Sequence, residues 1–406
     1  MSAPAKILFR LIFFLPLTTL AQIDPVARDL IQAGYNQAFE GHAPLAAYGF
    51  YYHNQPDFMR TNLTLRLAVA PVYLDSNLGF VNGLGPNTDF AVGLAGGGFG
   101  DSYNEIRDGT YYTSESFEGN GVEGSASIYH LFNPADRIPL NGVLRAGLHE
   151  AFYERDAETA PNFTLPEDRQ TFTVRTGLRW GGKEPLLTPD AGLELSGWYE
   201  AQFRNDTAPY GFNGDRIIQR DTHLFWGRAL LAYTLPGSEH HFEVSMLGGA
   251  SVRADRFSAY RLGSVLPFTS EFPLNLPGYY NGEISARKVI LWSGLYTVPL
   301  DHAHDWRLAA LASTALVDYT TGMEQPGHWL SGVGGGVFYD SPSRAWEVGL
   351  GYGYGIDAIR EGHRGAHSVA LLVQFNLEKV ESEWPASAKQ PERSRGLLRF
   401  LGNVFR

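Results

Sequence analysis

Ser125 and Ser127 lie just ahead of His130, a local pairing of hydroxyl nucleophile and imidazole base that has to be weighed as a hydrolytic centre. Hydrolysis by such a pair needs the imidazole within hydrogen-bond reach of the hydroxyl and a third group to orient the ring. The segment 121–132 alternates like a strand, and on a strand positions 125 and 127 point to the face opposite position 130. A catalytic role is not expected. His363 and His367, four apart, would suit a metal on a helix, and His302 and His304, two apart, one on a strand. Both pairs sit among turn residues without a third ligand nearby, so solvated loop histidines are expected, with no metal and no cofactor. The glycine runs at 93–100, 332–338 and 349–355 have the composition of phosphate-cradling loops. Dinucleotide sites require those glycines at a strand-to-helix turn, and no helical pattern follows any of the three. Inward glycines that allow bending, or the close approach of a loop, account for them better.

Bulk composition narrows the function classes further. Cysteine is absent, which excludes a thiol nucleophile, a disulfide framework, a cysteine-based metal site and a lipid-modified N-terminal cysteine. A net charge of -11 leaves no basic face for phosphate neutralisation, so nucleic acid is not an expected partner. Charged residues make up 18% of the 406, below the roughly 25% of soluble domains. With 46 Gly and 13% aromatic residues, that mixture suits strands carrying aromatic belts at two interfaces. A mean hydropathy of -0.18 does not oppose a membrane location, because a barrel alternates lipid-facing and lumen-facing residues.

The elements that would position these residues are strands. Residues 1–21 carry a basic start at Lys6 and Arg10, an apolar middle from Leu11 to Leu17 and a small-residue end at Thr19-Leu20-Ala21, the pattern of an export signal. Nothing after residue 22 is apolar for the roughly 20 residues that a spanning helix needs, so any membrane crossing must use strands. In 171–180, Phe172, Val174, Leu178 and Trp180 share one face, and Thr171, Thr173, Arg175 and Arg179 the other. In 193–204, Leu193, Leu195, Tyr199, Ala201 and Phe203 oppose Glu194, Ser196, Glu200, Gln202 and Arg204, with Trp198 on the polar side. In 345–357, Trp346, Val348, Leu350, Tyr352, Tyr354 and Ile356 oppose Glu347, four glycines and Asp357. Weaker alternation elsewhere, including 46–55 and 61–73, brings the expectation to about 14 strands, within a range of roughly 12 to 16, many near the 9 to 11 residues of tilted membrane strands.

These strands predict an all-β fold, a closed antiparallel transmembrane β-barrel over 46–378. Short turns at 133–136, 236–238, 301–305 and 341–343 alternate with long loops at 101–120, 155–168, 205–220 and 256–283, as membrane barrels require. The alternation places both termini in the periplasm. Residues 22–45 then form a short periplasmic segment, with Val26, Leu30, Ile31 and Tyr35 at helical spacing over 24–40. Residues 379–406 form a periplasmic linker and an amphipathic tail, the tail at 393–406 mixing leucines and phenylalanines with arginines.

One region carries a family likeness. Arg261, Leu262 and Gly263 in YRLGS, Leu276, Pro277, Gly278 and Tyr279 in LPGYY, Glu283 in NGEIS, and LYTVPL at 295–300 resemble the BamA-like bacterial surface antigen superfamily of outer-membrane barrels. VDYTTG at 317–322, GVGGGVFYDSP at 332–342 and the strand at 367–377 are similar to strands of that family. The resemblance covers about residues 240–378 and implies a long loop folded back into the lumen. It also implies a lumen-facing aspartate, at Asp318, that meets an arginine of the loop tip. Pro277 stands where the family has that arginine, so Arg261 is the expected partner of Asp318 and Arg287 the alternative. The family's periplasmic repeat domains do not fit in the stretch between residue 22 and the first expected strand. The resemblance implies a non-enzymatic barrel for protein or lipid passage or insertion. Outer-membrane lipids, and periplasmic or outer-membrane proteins, would be its partners. A passive diffusion porin is the alternative, and a lipase-like outer-membrane enzyme ranks last.

Overall fold

The computed structural model describes residues 23–379 other than 188, 190, 268 and 269. The expected export signal at 1–21, most of the expected linker and the expected tail at 393–406 therefore lie outside the described residues. Antiparallel pairing joins sixteen strands in closed cyclic order, and a seventeenth of three residues, Tyr260–Leu262, lies against them from inside a loop. In chain order the first eight are β1 (Arg28–Ala38), β2 (Ala46–Gln55), β3 (Leu63–Val69), β4 (Tyr73–Phe80), β5 (Thr88–Gly97), β6 (Glu118–Leu131), β7 (Leu140–Glu154) and β8 (Arg169–Lys183). The remaining eight are β9 (Ala191–Arg204), β10 (Asp221–Thr234), β11 (His241–Val252), β12 (Ile284–Pro299), β13 (Trp306–Tyr319), β14 (Trp329–Asp340), β15 (Trp346–Arg360) and β16 (His363–Asn376). Each strand pairs with its neighbours in sequence, and β1 closes the ring on β16, from Leu30 opposite Asn376 to Ala38 opposite Ser368. Closure gives every one of the sixteen strands a neighbour on both sides.

Two of the sixteen strands differ from the sequence expectation. Residues 24–40 are not a helix outside the barrel; Arg28–Ala38 is its first strand, so the barrel begins at 28 rather than 46. Leu30, Gln32, Asn36 and Ala38 are buried inside while Ile31 and Tyr35 face out, and that period of two decides the conformation. A helix this short is marginal alone, whereas a strand here gains two hydrogen-bonded neighbours. The stretch 61–73 is not one strand but the start of a hairpin, in which Ala70-Pro71-Val72 turns β3 into β4. Proline cannot donate to a ladder, so the turn falls where Pro71 is.

The faces follow the alternation. Phe172, Leu178, Leu195 and Leu350 lie exposed on the outside, and Glu194, Glu200 and Trp198 are buried within. Near the end that carries both described termini, Trp306, Tyr339 and Trp346 cluster with ring centroids 4.7 and 5.1 Å apart. Connections at that end have five to eight residues, whereas 98–117, 155–168, 205–220 and 253–283 all rise from the other end.

Candidate functional site: a loop seated in the lumen

The connection 253–283 turns back into the barrel. Tyr260–Leu262 pairs with Ile284–Ala286 at the start of β12, and Gly263 and Ser264 are hydrogen-bonded to Leu274, Leu276 and Tyr279. Leu262, Leu276, Tyr279 and Ile284 have no exposed surface and pack on the inner faces of β13 to β16, against Ala315, Val317, Leu330, Ala358 and Ala366. Tyr279 N–H donates to the Leu276 carbonyl at 3.3 Å, with Pro277 and Gly278 between them. Gly278 holds φ at +83°, as the second central position of a type II turn requires. A Cβ at Gly278 would strike the backbone of Gly355, and one at Gly332 would strike the Pro277 carbonyl oxygen. Gly332 of β14 and Gly353 and Gly355 of β15 thus form part of the bed of the loop tip, and their bareness there is steric.

The tip is held by charge. Arg360 Nη1 and Nη2 donate to the two carboxylate oxygens of Glu283 at 2.9 and 2.7 Å, a bidentate pair with side chains 2% and 0% exposed. Tyr280 N–H donates to the same carboxylate at 2.8 Å, and the guanidinium lies 3.6 Å from the Tyr280 ring centroid. Arg360 reaches the lumen through an irregularity. The register of β15 on β16 shifts between Gly355 and Ile359, and the buried positions change from Gly353 and Gly355 to Ala358 and Arg360. Bulges re-aim side chains in this way.

All seven expected loop residues, Arg261, Leu262, Gly263, Leu276, Pro277, Gly278 and Tyr279, therefore sit together inside the barrel. Asp318 does not join them. It faces outward near the loop end of β13, where Arg287 Nη2 donates to it at 3.0 Å and Lys288 Nζ lies 3.7 Å away, both from β12. The expectation that a carboxylate in lipid must turn to the lumen fails because cross-strand cations meet it where the strand leaves the apolar band. Arg261 instead donates from Nε to the Gly282 carbonyl at 2.8 Å and from Nη2 to the Asn104 carbonyl at 2.9 Å. Sequence reasoning missed Arg360 because a strict period of two puts it outside.

Above the plug, the four long loops pack into a cap. Tyr103, Phe117, Phe163, Tyr210 and Phe257 bring aromatic rings from all four loops together. Arg216 is buried against Glu105 and Glu115, and Arg256 Nε lies 3.3 Å from Glu105. Burial pushes the Tyr210 hydroxyl well above the ordinary tyrosine range, so the ring stays neutral. Below the plug is a cavity of about 1020 Å³, with Arg145, Arg175, Arg179 and Arg228 on one side and Gly335, Gly336, Gly349 and Gly351 on another. Ser125 and Ser127 remain on the inner face, and His130 Nδ1 lies 2.9 Å from the Thr88 hydroxyl. Among the described residues no group of three or more His, Asp or Glu side chains could hold a metal ion.

Fold and site together define a sixteen-stranded closed barrel whose first and last strands pair and whose longest loop plugs its own lumen. Solved structures share this fold. CdiB from Escherichia coli matches with a TM-score of 0.56 at 10% identity, over 85% of this chain and 63% of that one. CdiB from Acinetobacter baumannii gives 0.53 at 9%, over 86% and 60%. BamA from Haemophilus ducreyi lacking POTRA domains 1–3 gives 0.53 at 11%, over 86% and 70%. The chain thus spans about three fifths of the two CdiB chains. No family model and no curated protein matches the sequence.

Proposed function

We propose that this protein is a bacterial outer-membrane barrel of the BamA-like surface antigen type, which serves the passage or insertion of protein or lipid and catalyses no reaction. The observation that carries this reading is the seated loop, locked by Glu283 and Arg360 beneath an aromatic cap. A passive diffusion pore needs a standing aqueous path, and a loop this closely packed opposes one. Hydrolysis is opposed by the placement of Ser125 and Ser127 across the wall from His130. In this reading the end with short turns and both described termini faces the periplasm, and the capped end faces out. Lipids of the outer membrane contact the apolar outer face, and the open cavity under the plug receives a partner from the periplasm.

Planar-bilayer recording tests it. The intact protein should stay mostly closed, and a variant with 264–276 replaced by a short Gly-Ser turn should conduct steadily. A heat-modifiability gel, on which folded barrels run faster unboiled, confirms that the variant is folded. Steady conductance from the intact protein would replace this reading with the passive pore.

A further inference from the structure

Three arginines converge on the lumen wall under the plug, Arg175 and Arg179 from β8 and Arg228 from β10. Glu200 accepts from Arg175 Nε at 2.7 Å, and Glu194 from Arg228 Nε at 3.1 Å. Arg179 is less well served: Glu194 lies 3.7 Å from its Nε, and that buried nitrogen donates no hydrogen bond. Its close partner is Glu271, carried down by the loop. Glu271 also comes within 3.9 Å of Arg175, and its backbone oxygen accepts from Arg228 at 3.0 Å. The next residue, Phe272, stands edge-on to Trp198 and Trp226, with centroids 5.6 and 6.0 Å away, and 4.6 Å from the Arg228 guanidinium.

The walls of this pocket are built more firmly than its occupant. Glu194 is 1% exposed, whereas the Glu271 side chain is 45% exposed to the cavity. Trp198 is 7% exposed, lines the cavity, and its indole N–H has no acceptor; the Trp226 N–H has none either. Buried donors left without acceptors are rare and point to a missing partner.

We propose that this pocket is a binding site for a ligand that joins an anionic group to an aromatic ring, and that an acidic–aromatic peptide segment fits it. Glu271 and Phe272 occupy it as a tethered stand-in. The guanidinium groups match a carboxylate geometrically, the parallel indoles make an edge-on slot for a ring, and a peptide carbonyl would satisfy the spare indole donors. Tethering gives the loop an effective concentration near millimolar, so an outside ligand competes poorly until the loop segment lifts. The inference goes beyond the passage reading, because it requires a ligand to bind and not to cross.

The test uses the full-length protein in detergent and a fluorescent acetyl-Ser-Glu-Phe-Pro-amide, followed by anisotropy. Wild type should bind it weakly. Glu271→Gln, and more so Glu271→Ala with Phe272→Ala, should bind it about tenfold more tightly as the tether is lost. Adding Arg179→Gln should abolish that gain. Absence of a gain in folded Glu271→Gln, or a gain that survives Arg179→Gln, overturns the proposal. If inorganic phosphate displaces the peptide at equal concentration, the site takes bare anions and the aromatic half of the proposal fails.

Discussion

Glu283 and Arg360 each hold a full charge where water does not reach, so neither tolerates loss of the other. Removing one partner of a buried pair costs about 3–5 kcal/mol, while replacing both by apolar groups is often close to neutral. Arg360→Met and Glu283→Gln should each lower the temperature at which the fast-migrating unboiled band disappears. The double variant Glu283→Leu with Arg360→Met should recover most of that loss. Single variants as stable as wild type would show that the pair does not hold the plug. The sequence displayed the loop motif at this scale and concealed its partner. LPGYY and NGEIS announce a turn and a carboxylate in local residue types, whereas Arg360 depends on a register shift set by a neighbouring strand. Glu271 and Phe272 carry no local signal, since only the fold brings them to the arginines of β8 and β10.

Strands expose their faces to different solvents, and substitution distinguishes the two. Val174 lies on the outer face of β8 and Thr173 on the inner. Arginine at the bilayer midplane of such a surface costs roughly 2–4 kcal/mol, falling toward the interfaces. Val174→Arg should therefore depress urea stability in lipid well below Thr173→Arg; equal tolerance would show the faces reversed. Fourteen of the strands were legible because most of their outer faces carry leucines, aromatics and valines at a period of two. β1 was not, because Ile31 and Tyr35 with Leu30 also fit a helical stripe and its inner face is Gln and Asn. β4, YLDSNLGF, hides behind Pro71 and an interior of Asp75 and Asn77. Asp318 was misplaced for a related reason: period alone left its direction open, and the decisive cations sit on another strand.

The cap draws on all four long loops, so its integrity belongs to the molecule rather than to any element. Arg216 is 1% exposed and ties the 205–220 loop to Glu105 and Glu115 of another loop. Trypsin added outside proteoliposomes should leave the intact loops largely uncut, and Arg216→Ala should make the 98–117 and 205–220 loops cleavable. Equal resistance in the variant would mean that the aromatic cluster holds the cap alone. The closure of β1 on β16 bears on a different matter, the order of events in time. Gln32 donates to Gln374 across 342 residues of chain. Pairings this distant are slow to find. β16 is the last strand made, and until β1 pairs with it the forming sheet has two bare edges ready to pair with other chains. The bed of the plug, on β14 and β15, is also made late. A chain halted before β16 would keep fifteen strands and a lifelong seam.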